Sequence, residues 1–262
     1  MKRFALLGQQ ISESLSPRLH HHAWSTAGTP ARYELWSCDL SGFDAAIERA
    51  RCELAGFNLT APFKRHVIPH LDDQTQRALA LGSVNTVRVE GRRLIGENTD
   101  IVGVRSTLAM MPKRRGPALV LGAGGVLSSV VTGLVEAGFG PINVCARNRP
   151  SLDALDLPIN RVAFEQRHEL LGDQVLVVNA TPLGGSERDP LPLESARVGG
   201  PSHWDLVYRV QGTTPWVDSA RKNGIFALDG RLMLCEQAIE SQRFWGLDIR
   251  GAESMRALWS FE

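Results

Sequence analysis

Ala118-Leu-Val-Leu-Gly-Ala-Gly-Gly-Val-Leu-Ser-Ser129 is the stretch that decides the fold. Four apolar residues, a glycine turn and a helix-compatible run follow one another, which reads as a buried strand leading into a helix. Gly122 permits the tight turn, and Gly124 lets the backbone approach a pyrophosphate. The helix that follows offers unpaired N–H groups and a partial positive charge to an anion. Gly122, Ala123, Gly124, Gly125 and Val126 are therefore the candidate dinucleotide-binding turn. The third small position of a GxGxxG fingerprint would be residue 127. It is Leu127 here, so the helix is expected to sit further from its strand than in standard dinucleotide folds.

The next strand, Ile142 to Ala146, selects the dinucleotide. An NAD site places Asp or Glu at this strand end to hold the ribose 2′-hydroxyl. The sequence instead reads Cys145-Ala-Arg-Asn-Arg149, with no carboxylate and two arginines suited to a 2′-phosphate. NADP(H) is the expected cofactor, with Ala146, Arg147, Asn148 and Arg149 in contact with it.

Strand and helix signals alternate on both sides of this segment, which implies an α/β fold. Before it, strands are expected at Phe4–Leu7, Tyr33–Cys38 and Ala55–Leu59, with a hairpin over Ser83–Asn98 turning at Glu90-Gly91. Helices are expected at Pro17–Ala27, capped by Ser16, at Gly42–Arg51 and at Asp100–Met111. Met111-Pro-Lys-Arg-Arg-Gly-Pro117, basic and bracketed by prolines, is the linker candidate. After it come strands at Pro117–Leu121, Val175–Asn179 and Asp205–Tyr208, and helices at Val126–Ala137, Leu232–Trp245 and Ala252–Ser260. The expected plan is an α/β substrate domain over 1–103, completed by C-terminal helices over 232–262, and a Rossmann-like nucleotide domain over 104–231.

Composition narrows the function. The 262 residues carry a net charge of +1 with no basic block, so nucleic acid is not an expected partner and a small molecule is. No apolar run reaches the roughly 18 residues of a membrane helix. Cys38, Cys52, Cys145 and Cys235 form no CxxC pair, and the chain opens on a strand-like run with no signal-peptide pattern. Together these point to a soluble, cytoplasmic protein with reduced thiols. His20-His-His22 cannot converge on one ion from consecutive helical positions, and His66 and His70 lack a third ligand, so no metal site is expected.

Three polar stretches sit at strand ends or turns of the first hundred residues: Ser14-Leu-Ser-Pro17, Asn58-Leu-Thr-Ala-Pro-Phe-Lys64 and Gly96-Glu-Asn-Thr-Asp100. Such groups suit a hydroxylated ligand, since each ligand hydroxyl needs a partner once desolvated. Reducing a carbonyl also needs an acid for the new alkoxide. Lys64 is the candidate acid, and Asp100 the carboxylate that orients it.

These residues resemble a known family. Gly8, Ser14-Leu-Ser-Pro17 with His20, Asn58-Leu-Thr-x-Pro-x-Lys64, Gly82-Ser-Val-Asn-Thr86, Asn98-Thr-Asp100, Gly122-Ala-Gly-Gly125, Asn179-Ala-Thr-Pro182, Asp205-Leu-Val-Tyr208 and Met233-Leu-x-x-Gln237 look like shikimate dehydrogenase, in order and over nearly the whole chain. The resemblance implies NADPH-dependent reduction of 3-dehydroshikimate to shikimate on the route to chorismate and the aromatic amino acids, in a cleft between two α/β domains of a monomer or homodimer. It implies that Ser14, Ser16 and Tyr208 bind the substrate carboxylate, and that Asn58, Thr60, Asn85, Asp100 and Gln237 line the ring. Lys64 would exchange the proton, while Thr181, Leu206 and Leu232 join the cofactor contacts. The sequence departs from the family pattern at several positions. Ala146-Arg-Asn148 stands for Asn-Arg-Thr, Gln76 stands for an acidic residue, and Glu236 puts a charge inside the Met-Leu-x-x-Gln run. Relatives acting on quinate or aminoshikimate, and a shikimate-binding homologue without turnover, are the alternatives. The methylenetetrahydrofolate dehydrogenases are a further class, but their Tyr-x-x-x-Lys pair is absent at Lys64.

Overall fold

In the computed structural model, which describes residues 1–147, 152–153, 155–185, 189–193 and 200–258, the chain divides into two units: Met1–Gly103 with Leu234–Glu262, and Val104–Met233. The first unit begins β1 (Lys2–Gly8), α1 (Ser16–Ala27), β2 (Ala31–Ser37), α2 (Phe43–Glu53) and β3 (Gly56–Leu59). It continues through β4 (Asp73–Gln74), α3 (Gln76–Leu81), β5 (Thr86–Glu90) and β6 (Arg93–Glu97) into α4 (Asp100–Met110). The mixed sheet runs β2-β1-β3-β5-β6-β4, with β1 parallel to β2 and β3, and β5 antiparallel to β3 and β6. Alternation along β1 feeds two cores. Ala5 and Leu7 pack with Phe43, Ile47 and Phe57, while Phe4 and Leu6 pack with Trp24, Tyr33 and Trp245.

One local expectation is corrected in this unit, and one element is added. Ser16 is the first residue of α1, not its cap; the residue before the helix is Leu15, and no side chain caps the end. Two residues upstream of Ser16, Ser14 Oγ accepts from the Ser16 N–H at 3.3 Å, so the first amide of the helix is met from outside it. The short helix α3 is not among the expected elements, although Thr75 Oγ1 accepts from the Ala78 N–H and Gly82 ends it at φ +57°, both ordinary cap chemistry.

The second unit holds β7 (Ala118–Leu121), α5 (Leu127–Glu136), β8 (Ile142–Ala146), β9 (Asn160–Ala163), β10 (Leu176–Asn179) and β11 (Ser202–Asp205). It ends with α6 (Pro215–Lys222), β12 (Ala227–Leu228) and the start of α7 (Arg231–Phe244), whose later turns and α8 (Ala252–Ala257) belong to the first unit. All six strands are parallel, in the order β12-β11-β10-β7-β8-β9. That is the doubly wound dinucleotide-binding order, with its switch point between β7 and β10. The glycine turn leaves β7 at this point. Leu127 is fully buried as the first residue of α5.

The strand expected over Asp205–Tyr208 lies earlier, ending at Asp205, because the Asp205 carboxylate turns back to take the Val207 N–H at 3.1 Å. Met111 to Pro117 is not the boundary between the units. That boundary falls after Gly103, inside α4, and the proline-bracketed segment is held by Arg115, which donates to Ala137 O at 2.7 Å and covers the Phe139 ring. Among the described residues no helix is long and apolar enough to cross a membrane.

Candidate active site

Of the substrate-domain residues singled out by sequence, Lys64, Asp100, Asn85, Gln237 and Asn58 are joined by a buried hydrogen-bond network. Lys64 stands in the turn after β3, and Asp100 opens α4 after β6. Lys64 Nζ donates to Asp100 Oδ2 at 2.6 Å, with side chains only 14% and 6% exposed. Water screens such a pair little, so its geometry is held far more firmly than that of a surface ion pair. The other carboxylate oxygen, Oδ1, accepts from Asn85 Nδ2 at 2.9 Å. Asn85 is fixed in turn: its Oδ1 accepts from the Thr99 N–H at 2.7 Å, and its Nδ2 also reaches Thr99 Oγ1 at 2.9 Å and Gln237 Oε1 at 3.5 Å. Lys64, Asp100, Asn85 and Gln237 are thereby brought to one wall.

Behind them lies a layer that the sequence did not reveal. Thr86, Thr99 and Ser241 hydroxyls sit 3.0 to 3.1 Å from one another, and Ser241 donates to Gln237 O at 2.8 Å. Asn58 binds into this layer. Its Nδ2 reaches Thr86 Oγ1, Ser241 Oγ and Asn85 O, and its Oδ1 accepts from Tyr33 Oη at 2.7 Å. Both ends of the Asn58 amide are thus occupied within the domain. Ser241 had one legible signal: it follows Gln237 by four residues, so it shares that helix face.

Ser14 and Ser16 lie at the start of α1, with their hydroxyls 3.3 Å apart. Thr60 is half-buried and sits against Gly8, where an added Cβ would come within 2.5 Å of Thr60 Cγ2. No larger residue fits at position 8 without moving Thr60.

The described cofactor candidates all lie in the second unit, with Gly122 to Val126 leaving β7 at the switch point. Gly122 has φ +105°, and a Cβ there would meet Ala180 O at 2.7 Å, so both conformation and space require glycine. Gly124 has open space where a side chain would stand, and no side chain caps the N-terminus of α5. Open space at Gly124 beside a helix start that no side chain caps fits the pyrophosphate of a dinucleotide. Ala146 ends β8 and Arg147 follows it, exposed. Asn148 and Arg149 lie outside the described residues.

Thr181 stands in the turn after β10, donating to Asn179 Oδ1 at 2.6 Å. Leu206 follows β11 and packs against Gly230, where a Cβ would lie 2.1 Å from Leu206 O; Leu232 comes two residues later, in the first turn of α7. Tyr208 is half-buried in the same unit, past β11.

Asp205 is an organising group that sequence alone did not expose. It accepts from Asn179 Nδ2, Thr214 Oγ1 and the Val207 N–H, tying the ends of β10 and β11 to the start of α6. Burial pushes its carboxyl up to about 7, against the pull of those three donors. Among the described residues no group of His, Cys, Asp and Glu is arranged to hold a metal ion. His20 packs on Tyr33 with ring centroids 4.4 Å apart, and His66 and His70 are engaged separately with Pro62 O and Asp44.

A doubly wound dinucleotide unit joined to an α/β unit that presents a desolvated Lys–Asp pair defines a nicotinamide-dependent oxidoreductase acting on a polar small molecule. Comparison with known proteins is more particular. Residues 6–87 match the model of the shikimate dehydrogenase substrate binding domain. A shikimate dehydrogenase (NADP(+)) of Thermus thermophilus is 37% identical over 253 residues, covering 94% of this chain and 92% of the relative. The crystal structure of shikimate dehydrogenase from Thermotoga maritima superposes with a TM-score of 0.85 at 29% identity, covering 98% of each chain. That of a Thermus thermophilus shikimate 5-dehydrogenase, in complex with NADP(H) and shikimate, gives 0.79 at 33% identity, covering 98% of this chain and 99% of that one. The chain belongs to the shikimate dehydrogenase family.

Proposed function

We propose that this protein catalyses the reversible NADPH-dependent reduction of 3-dehydroshikimate to shikimate. The observation that carries the reading is the Lys64–Asp100 pair at 2.6 Å, set in a wall with Asn85 and Gln237. When bound, the nicotinamide ring supplies the hydride. Lys64 Nζ–H donates a proton to the carbonyl oxygen as the carbon–oxygen π pair becomes an alkoxide, and the neutral amine then regains a proton from water. In the oxidation direction the same amine takes the proton from the hydroxyl. Asp100 keeps Nζ in place through Oδ2 while Asn85 holds Oδ1, so the donor does not have to be reoriented during reaction.

Ser14 and Ser16 hydroxyls suit the substrate carboxylate, with Tyr208 as its further partner, while Thr60, Asn85, Asp100 and Gln237 suit the ring hydroxyls. Asn58 acts behind them, as a positioning residue whose amide is spent on Tyr33, Thr86, Ser241 and Asn85 O.

The cofactor is held by Gly122 to Val126, by Ala146 to Arg149, and by Thr181, Leu206 and Leu232. Arg147 stands at the strand end where NAD enzymes carry an acid. Arg147→Ala is expected to raise the KM for NADP+ about tenfold, the scale of one lost charge-assisted contact, with little change for NAD+. An unchanged KM, or equal kcat/KM with both cofactors in the parent protein, removes the assignment. The reading as a whole is tested by following NADP+ and NAD+ reduction with shikimate, quinate and aminoshikimate in parallel. Shikimate with NADP+ is expected to have the highest kcat/KM. A preference for another acid reassigns the substrate, and saturable shikimate binding without turnover identifies a binding homologue. A monomer or homodimer in the cytoplasm is the state that accords with this role, and sedimentation of the purified chain tests the assembly.

A further inference from the structure

Arg77 lies on α3, outside every stretch assigned to substrate or cofactor, yet it joins two elements that carry the site. Its Nε and Nη2 donate to Glu97 Oε1 and Oε2 at 2.9 and 2.8 Å, and Nη2 also donates to Glu240 Oε1 at 3.0 Å. Glu97 ends β6, immediately before Asn98-Thr-Asp100. Glu240 lies on α7, next to Ser241 and within one turn of Gln237. Exposed ion pairs contribute little, but Glu97 is 4% exposed. Its carboxylate is fully subscribed, taking Thr75 Oγ1 at 3.0 Å and the Asn98 N–H at 2.6 Å besides Arg77. The hydrogen bonds to Glu97, and then the one to Glu240, hold the Arg77 guanidinium above its ordinary pKa despite burial.

We infer that Arg77 is a positioning residue for the proposed reaction, locking the Asn98–Asp100 segment to the turn of α7 that carries Gln237 and Ser241. The path from Arg77 to the chemistry is short. Glu97 receives the Asn98 N–H, the next residue, Thr99, gives its N–H to Asn85 Oδ1, and Asn85 holds Asp100 Oδ1. On the other side, Asn85 Nδ2 faces Gln237 Oε1. Without Arg77, Glu97 is a desolvated carboxylate with no bonded cation among the described residues. Glu240, the other carboxylate that Arg77 holds, adds a like charge, and it is itself paired with Arg243. A buried carboxylate left without that partner no longer holds the Asn98 N–H in one place.

The inference rests on the reading of the protein as a shikimate dehydrogenase, and its test separates the two. Arg77→Met is expected to raise the KM for shikimate about tenfold or more, as a displaced binding wall would, with a smaller change in kcat. Arg77→Lys should restore part of the loss. Arg77→Met/Glu97→Gln, which leaves no buried charge unpaired, should keep the KM raised, because the tie to α7 is still missing. If the parent protein does not turn over, the functional reading fails on its own, and shikimate affinity measured calorimetrically on the same variants replaces KM. A lowered melting temperature with KM and affinity at the parent values would show Arg77 to be structural only. So would kcat and KM changing by the same factor, or a KM that Arg77→Lys leaves as high as Arg77→Met does.

Discussion

Lys64→Ala lowers kcat by about 10²- to 10⁴-fold, the span of a lost general acid, while the dissociation constant for shikimate changes only a few-fold. The split follows from what Lys64 touches. Its ammonium is committed to Asp100 at 2.6 Å, whereas the ring-binding wall is held by other bonds: Asn85 by the Thr99 N–H and Thr99 Oγ1, and Gln237 through its own Nε2 to Leu234 O at 2.8 Å. Removing the amine takes away the proton that the alkoxide needs and leaves those bonds standing. An interaction made mainly in the transition state lowers kcat and kcat/KM together, and this is the signature to look for. Steady-state kinetics with shikimate and NADP+, beside calorimetric titration of shikimate alone, provide both numbers. Turnover within threefold of the parent would remove Lys64 from the reaction. An equal loss in affinity and kcat would make it a binding group instead.

Much of this site is legible in the sequence because its chemistry sits where backbone signals are strongest. Lys64 and Asp100 lie in the segments that follow β3 and β6, and Gly122 lies in a turn that no other residue could make. What escapes is of two kinds. Some elements are hidden by weak local pattern. Ser202-His-Trp-Asp205 alternates poorly, because His203 is buried by stacking on Trp216, with ring centroids 4.3 Å apart, so the pattern places its strand three residues late. The helix α6 begins with Thr214 capping Val217 and Pro215 in its first turn, a start signal that is present but follows a glycine and two threonines that read as loop.

The second kind is inherently non-local. Ser241 meets Asn58 across 183 positions and Arg77 meets Glu240 across 163, and nothing in either neighbourhood announces the partner. In the sequence Glu236 reads as a stray charge beside Gln237. In the fold it is 8% exposed and takes Arg256 Nη2 at 2.9 Å, fastening α8 to α7, so its reason is again a residue far along the chain.

Buried titratable groups make the two units respond differently to acid. His20 is fully buried, against Tyr33, Trp24 and Trp245, and burial pushes its imidazole from 6.5 down to about 3. The fold therefore requires the neutral ring, while the unfolded chain takes a proton once pH drops below 6.5. Stability of the first unit is unaffected by this group above that value and falls below it, until the folded ring also titrates near 3. Each pH unit costs about 1.4 kcal/mol, so by pH 4.5 the loss is close to 3 kcal/mol, against a typical total of roughly 5–15 kcal/mol. His21 is also shifted down, first by burial and then by Arg32, and acts in the same direction.

In the second unit His203, pushed by burial to about 4, exerts the same pull, but Asp205 opposes it. Its carboxyl holds a proton in the fold up to about 7, whereas the unfolded carboxyl releases it above 3.8, so this group stabilises as pH falls below 7. Between about pH 4 and 6.5 the two contributions oppose each other. Carboxylates held low by their partners, Glu34 by Arg3 and Glu136 by Arg105, subtract stability only below the ordinary carboxylate range. The expected result is that α1 and β2 lose amide protection between pH 6.5 and 4.5 while β10 and β11 keep theirs, as read by hydrogen exchange corrected for intrinsic rates. His20→Gln should flatten the response of the first unit and leave the second unchanged. Equal loss in both units, or an acid response that His20→Gln does not alter, would show that His20 does not set the acid limit of the first unit.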